Sequence, residues 1–128
     1  MKLLKIFLLF IFVNAFAAYA DVYDDIAGSI KSGDAGQIAS YFDAKVDLAL
    51  SNQEDVYSKA QAELIIKDFF SKNPPKSFSL VHKGSSKEGT LFAVGSLAST
   101  NGKTFRVSFV IKSLKGKNTI QELRFESQ

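Results

Sequence analysis

The feature that most constrains this chain is a single change of hydrophobic period at Asn73-Pro74-Pro75. Before it, Ala62, Ile65, Ile66, Phe69 and Phe70 recur at i, i+3, i+4, i+7 and i+8, the stripe of a helix packed on one face. After it, Leu91, Ala93, Gly95 and Leu97 alternate with Phe92, Val94, Ser96 and Ala98, the period of a strand. Proline disfavours helical geometry in the residue before it, so the tripeptide ends the helix. Helices first and strands afterwards is the order of an α+β domain.

Ser58 and Gln61 have capping-box spacing and start this helix, predicted over 58–71, with Glu63 and Lys67 as an outward i, i+4 pair. Upstream, Asp21 is placed to cap a helix over 22–32 with Val22, Ile26 and Ile30 on one face, and Gly33 follows it as a C′ residue. Asp34 and Gln37 open a second short helix running to about Phe42, with Ile38, Tyr41 and Phe42 as its apolar face. Val46, Leu48 and Leu50 predict a strand, and Ser51 to Asp55 reads as a polar turn.

Downstream, Phe78, Leu80 and His82 share one strand face. Asn101-Gly102 predicts a type I′ hairpin into a strand bearing Phe105, Val107, Phe109 and Ile111. Gly116 to Asn118 turns into a last strand over 119–126, where Ile120 is out of phase with Leu123 and a bulge is expected. Gly95 inside a strand implies a bend. The expected architecture is three N-terminal helices on a curved, mainly antiparallel sheet of about four to five strands.

Residues 1–20 carry the marks of a cleavable signal peptide: Lys2 and Lys5, the apolar run from Ile6 to Val13, and Ala18-Tyr19-Ala20 as the cleavage pattern. The apolar stretch falls short of the roughly 20 residues a membrane-spanning helix needs. Residues 21–128 then form one domain, exported to the periplasm or the outside of a Gram-negative cell. The chain has no cysteine, which removes disulfides, a lipid anchor and thiolate chemistry. Its formal charge of +3 loses Lys2 and Lys5 on cleavage and falls to +1, too little for non-specific nucleic-acid binding. One histidine without cysteine does not make a zinc site, and Asp21, Asp24 and Asp25 supply fewer oxygens than calcium needs. The glycines lack phosphate-loop spacing, so no cofactor is expected.

The block Tyr57-Ser58-Lys59-Ala60-Gln61-Ala62-Glu63, followed by Phe69-Phe70, Asn73-Pro74-Pro75, Phe78 and His82, resembles a family of secreted Bacteroidota proteins called domain of unknown function 4783. Tyr41-Phe42 upstream and Gly95, Leu97 and Phe105-Arg106-Val107 downstream extend the resemblance over nearly all of residues 21–128. That family is similar to the nuclear transport factor 2-like (cystatin-like) group. The resemblance implies helices packed in the hollow of a curved sheet around a cone-shaped pocket. It implies no chemistry, because this fold carries enzymes, ligand binders and dimerisation modules alike.

Three readings follow. A non-catalytic module of the bacterial envelope would bind a small molecule or an envelope protein, with Tyr57, Lys59, His82 and Arg106 as candidate ligand-binding residues. A small hydrolase or isomerase would use His82 as general base with Asp43 or Asp47, which requires the imidazole and a carboxylate within hydrogen-bond reach inside a cavity. Each of these residues also has a plain structural role: His82 as a tied core imidazole, Asp43 and Asp47 as solvated acids flanking a strand, Arg106 as a cross-strand surface residue. A homodimerisation module would pair through the sheet's outer face, where Phe92, Val94 and Val110 could form an apolar patch.

Overall fold

The computed structural model describes residues 22–128; residues 1–20, read above as a signal peptide, and Asp21 lie outside the described residues. Helix α1 occupies 22–32 and buries Val22, Ile26 and Ile30, as their four-residue spacing requires. It ends at Gly33 (φ +68). Helix α2 (Ala35–Ala39) starts at Asp34, whose side chain accepts the Gln37 N–H at 3.0 Å.

This second helix is shorter than its sequence predicts. The Ile120 N–H donates to the Tyr41 carbonyl at 2.7 Å, which draws the chain into the sheet, and Phe42 is buried from strand β1 (Phe42–Leu50) instead of from a helix. A second departure follows. The polar segment read as a turn is strand β2 (Gln53–Ser58), hydrogen-bonded antiparallel to β1. Helix α3 (Lys59–Lys72) begins on the expected cap, with Ser58 Oγ accepting the Gln61 N–H at 3.3 Å, and buries Ala62, Ile66, Phe69 and Phe70. Its outer ion pair is Asp68–Lys72 at 3.0 Å.

Strands β3 (Pro75–Ser85), β4 (Thr90–Ser99), β5 (Thr104–Leu114) and β6 (Lys117–Ser127) form an antiparallel meander, and β1 joins β6 in parallel. The sheet therefore has six strands in the order β2-β1-β6-β5-β4-β3, more than the four to five expected. The helices cover one face of it. Onto that face β5 turns Phe105, Val107, Phe109 and Ile111, and β6 turns Ile120, Leu123 and Phe125, all buried.

Two of the sheet's register shifts set the side-chain phase at Ile120 and at His82. Val110 pairs with Glu122 but Ile111 pairs with Ile120, so Gln121 is the extra residue, and the bulge brings Ile120 and Leu123 to the same buried face as their spacing demands. On β3, Leu80 pairs with Gly95 and His82 with Val94, so Val81 is extra and His82 is thrown onto the face opposite Leu80.

The β4–β5 connection is also not the predicted turn. Among the described residues the one non-glycine with positive φ is Lys115, so Asn101 does not adopt the type I′ conformation. Gly102 (φ +87) instead donates to the Ser99 carbonyl at 3.1 Å, and Asn101 Nδ2 reaches the Lys72 carbonyl at 3.0 Å and Asn73 Oδ1 at 2.8 Å. The amide side chain thus ties the hairpin to the end of α3. Lys115-Gly116, both with positive φ between β5 and β6, is the pair with the type I′ signature.

Candidate functional site

Alternation gives the sheet an outer face that no described helix covers. One cross-strand row runs Val56, Asp47, Glu122, Val110, Phe92, Gly84 from β2 to β3. The adjacent row runs Glu54, Ala49, Arg124, Ser108, Val94, His82. At the β5–β3 end, half-buried Val94 and Val110 lie beside Phe92, which is 38% exposed and has its ring 5.8 Å from that of His82. At the β2–β6 end the face is ionic. Arg124 reaches across Ala49 to Glu54 with contacts of 2.9 and 3.3 Å, and touches Glu122 at 2.9 Å and Glu126 at 3.6 Å. Lying between Glu54 and Arg124 in the row, Ala49 is left only 4% exposed. This arginine was not singled out from sequence. The alternation Glu122, Arg124, Glu126 between Leu123 and Phe125 was the available signal, since outward charges of alternating sign on a strand invite cross-strand pairing.

The residues picked for chemistry are scattered. His82 is exposed on the outer face and is not in a cavity. Asp47 stands on the same face, but β1 and β3 are four strand positions apart, roughly 19 Å at the ordinary strand spacing. Asp43 is exposed at the start of β1, where its carboxylate accepts the Ala44 N–H at 2.8 Å and the Gln121 side-chain amide at 3.3 Å, which hold its pKa below the usual range. Among the described residues no imidazole–carboxylate dyad is formed. Tyr57 is half-buried against the core with its hydroxyl accepting from Gln53 at 2.8 Å, and Lys59 is exposed at the first residue of α3. Arg106 is exposed on the outer face between Glu126 and Ser96, the cross-strand position expected of it. His82 and Arg106 therefore share a surface, while Tyr57 and Lys59 sit at the β2–α3 junction.

The hollow under α3 is filled. The Phe69 ring lies 5.0 Å from Phe105, 4.7 Å from Phe125 and 5.6 Å from Phe70, tilted or edge-on in each case. Open surface grooves lie elsewhere on the described residues. One of about 660 Å³ lies at the hairpin tips by Ser85, Lys87, Ser113 and Asn118; another, about 810 Å³, lies between the end of α3 and the β1–β2 turn. Neither is lined by His82, Asp43, Asp47, Tyr57, Lys59 or Arg106. Among the described residues, no three His, Asp or Glu side chains are grouped to hold a metal.

The perturbed acid belongs to the outer face. Burial, then the charges of Glu122 and Glu54, raise the Asp47 pKa against the opposing pull of Arg124. Folding thus penalises its carboxylate. The penalty is absent below its ordinary pKa of 3.8, grows as pH rises through the raised native pKa, and is complete at neutral pH. Asp47→Asn is expected to raise the melting temperature at pH 7, with the gain disappearing below pH 3.8; paired thermal melts at the two pH values check this.

The match to known proteins agrees with this architecture. A family model described as a domain of unknown function, DUF4783, matches residues 23–126. A DUF4783 family protein from Bacteroides ovatus is 28% identical with a TM-score of 0.75, covering 81% of this chain and 93% of its own. One from Bacteroides uniformis is 27% identical with a TM-score of 0.76, covering 82% and 95%. An NTF2-like protein of unknown function from Shewanella baltica shares the fold at 14% identity and a TM-score of 0.67, covering 91% and 95%. No curated protein matches. Matched along its helices and all six strands, the chain belongs to the DUF4783 family and has the nuclear transport factor 2-like fold.

Proposed function

We propose that this protein is an exported, non-catalytic docking module of the bacterial envelope that engages a protein partner through the outer face of its sheet. One contrast carries the reading: the hollow where this fold could hold a small molecule is packed with phenylalanine rings, while Phe92, Val94 and Val110 adjoin one another on the uncovered face. Exposed aromatic side chains beside smaller apolar ones are the usual core of a protein interface. The signal-peptide pattern of residues 1–20 supports the envelope as the place of action.

Site-specific photo-cross-linking in cells tests this. A benzophenone side chain at position 92 is expected to give discrete adducts, and one at Leu64, exposed on the solvent side of α3, is expected to give none. Equal labelling from both positions, or none from 92, sinks the proposal.

A further inference from the structure

We propose that Asn101 is a spontaneous modification site: its side-chain amide deamidates when the β4–β5 hairpin opens, and the carboxylate that results cannot restore the bonds that held the hairpin to α3. The sequence sets up the reaction. Of Asn52, Asn73, Asn101 and Asn118, Asn101 is the one followed by glycine. Asn73 precedes a proline, which has no N–H to attack with. Asn52 and Asn118 precede Gln53 and Thr119, whose side chains crowd the attacking nitrogen. Around Gly102 the space is open, with nothing within 4 Å of where a Cβ would stand.

The step is a ring closure. Solvent base removes the Gly102 amide proton, and that nitrogen attacks Asn101 Cγ. A C–N bond forms, the Cγ–Nδ2 bond breaks, and Nδ2 leaves as ammonia. Water then opens the cyclic imide at either carbonyl, giving aspartate or isoaspartate. The balance is amide plus water to carboxylate plus ammonium, with nothing oxidised or reduced.

The folded hairpin restrains each group this step needs. Asn101 Nδ2 donates to the Lys72 carbonyl at 3.0 Å and to Asn73 Oδ1 at 2.8 Å, and Asn101 Oδ1 accepts the Lys103 N–H at 3.0 Å. The Gly102 N–H donates to the Ser99 carbonyl at 3.1 Å. Asn73 is buried, and its own amide donates to the Phe69 carbonyl at 3.1 Å, so this relay caps carbonyls of the last turn of α3. Ring closure breaks these bonds, and the reaction therefore follows local opening. A carboxylate at 101 has no proton to donate. It sets oxygen against the Lys72 carbonyl and Asn73 Oδ1, and Asn73 cannot turn its amide toward it without giving up Phe69. It also puts negative charge at the C-terminus of α3, where the helix dipole favours cations. Phe69, Lys72, Asn73 and Gly102 line the groove of about 810 Å³, so the release falls on its wall.

Peptide mass spectrometry on the exported protein, folded and unfolded in urea in mildly alkaline buffer, tests this. In the unfolded chain Asn101 is expected to convert before the other asparagines, to a mixture of aspartate and isoaspartate. In the folded chain its conversion is expected to be about tenfold or more slower. The converted chain, separated by ion exchange and refolded, and Asn101→Asp are both expected to melt below Asn101→Ala, which loses the same donations without adding charge. The gap between Asn101→Asp and Asn101→Ala is expected to close below roughly pH 3.9, where the carboxyl is protonated in both the folded and unfolded states. Equal rates in the folded and unfolded chain overturn the dependence on opening. Another asparagine converting before Asn101 overturns the site. A melting temperature of Asn101→Asp equal to the parent's overturns the loss of the tie.

Discussion

Gly95→Val is expected to lower stability by about 2–4 kcal/mol, beyond the usual cost of overpacking a core because backbone as well as side chain is in the way. A Cβ at this position would lie 2.5 Å from Phe78 Cζ, 2.6 Å from Phe78 Cε1 and 2.7 Å from the Ser79 carbonyl oxygen. The ring belongs to a residue only 8% exposed, and the carbonyl belongs to β3, next to the Val81 bulge. Neither can retreat without disturbing the β3–β4 ladder. Gly84 is the control. A Cβ there would also strike a ring, but the ring is that of Phe92, partly in solvent and free to swing. Gly84→Ala is expected to cost less than about 1 kcal/mol. Urea unfolding of both variants decides the matter through the shift in midpoint at unchanged slope. A Gly95→Val midpoint equal to the parent's would mean that Phe78 does not close over the strand.

The same pair of residues explains where sequence reasoning stopped. Gly95 announced a bend, but nothing in Phe78-Ser79-Leu80-Val81-His82 tells which strand takes the extra residue. Plain alternation puts His82 with Leu80; the bulge puts it with Val94, Phe92 and the solvent. A one-residue slip exchanges the two faces of a strand, so the candidate general base moved out of the interior at a single step. Ile120 and Leu123 were the opposite case, since two large apolar residues at odd spacing force a bulge if both are to be buried, and both are. Helix α3 was legible for the same reason, its stripe having one low-energy placement.

Strand β2 was not legible, because Gln53–Ser58 buries almost nothing. It is held by the β1 backbone and by the reach of Arg124 to Glu54, which are pairings between residues 70 apart in sequence or set by the backbone alone. Asn101-Gly102 misled in a related way: a sound local turn preference yielded to the contacts its side chain makes with Lys72 and Asn73. The outer face was half legible. Its apolar members followed from period two, whereas its ionic end around Arg124 depended on β1 pairing with β6 across the whole chain.

Phe69→Ala is expected to be a costly truncation in the core, about 3–5 kcal/mol, the range for removing a packed aromatic side chain. That is a large fraction of the roughly 5–15 kcal/mol that holds a domain of this size together. The loss combines buried area with three aromatic contacts, to Phe70, Phe105 and Phe125. Phe69 and Phe105 also line the groove of about 810 Å³, so the space vacated by the ring opens toward that groove instead of closing as a sealed void. The variant should therefore gain what the parent lacks, a cleft under α3 that accepts a small aromatic molecule. Thermal melts with and without millimolar indole read both effects: a lowered melting temperature in Phe69→Ala, partly restored by indole, and no indole response in the parent. Because a ligand stabilises only the state that binds it, an equal rise in the parent would show that its hollow is already open. The fold would then be serving as a receptor for small molecules, and docking through the outer face would no longer follow from a filled hollow.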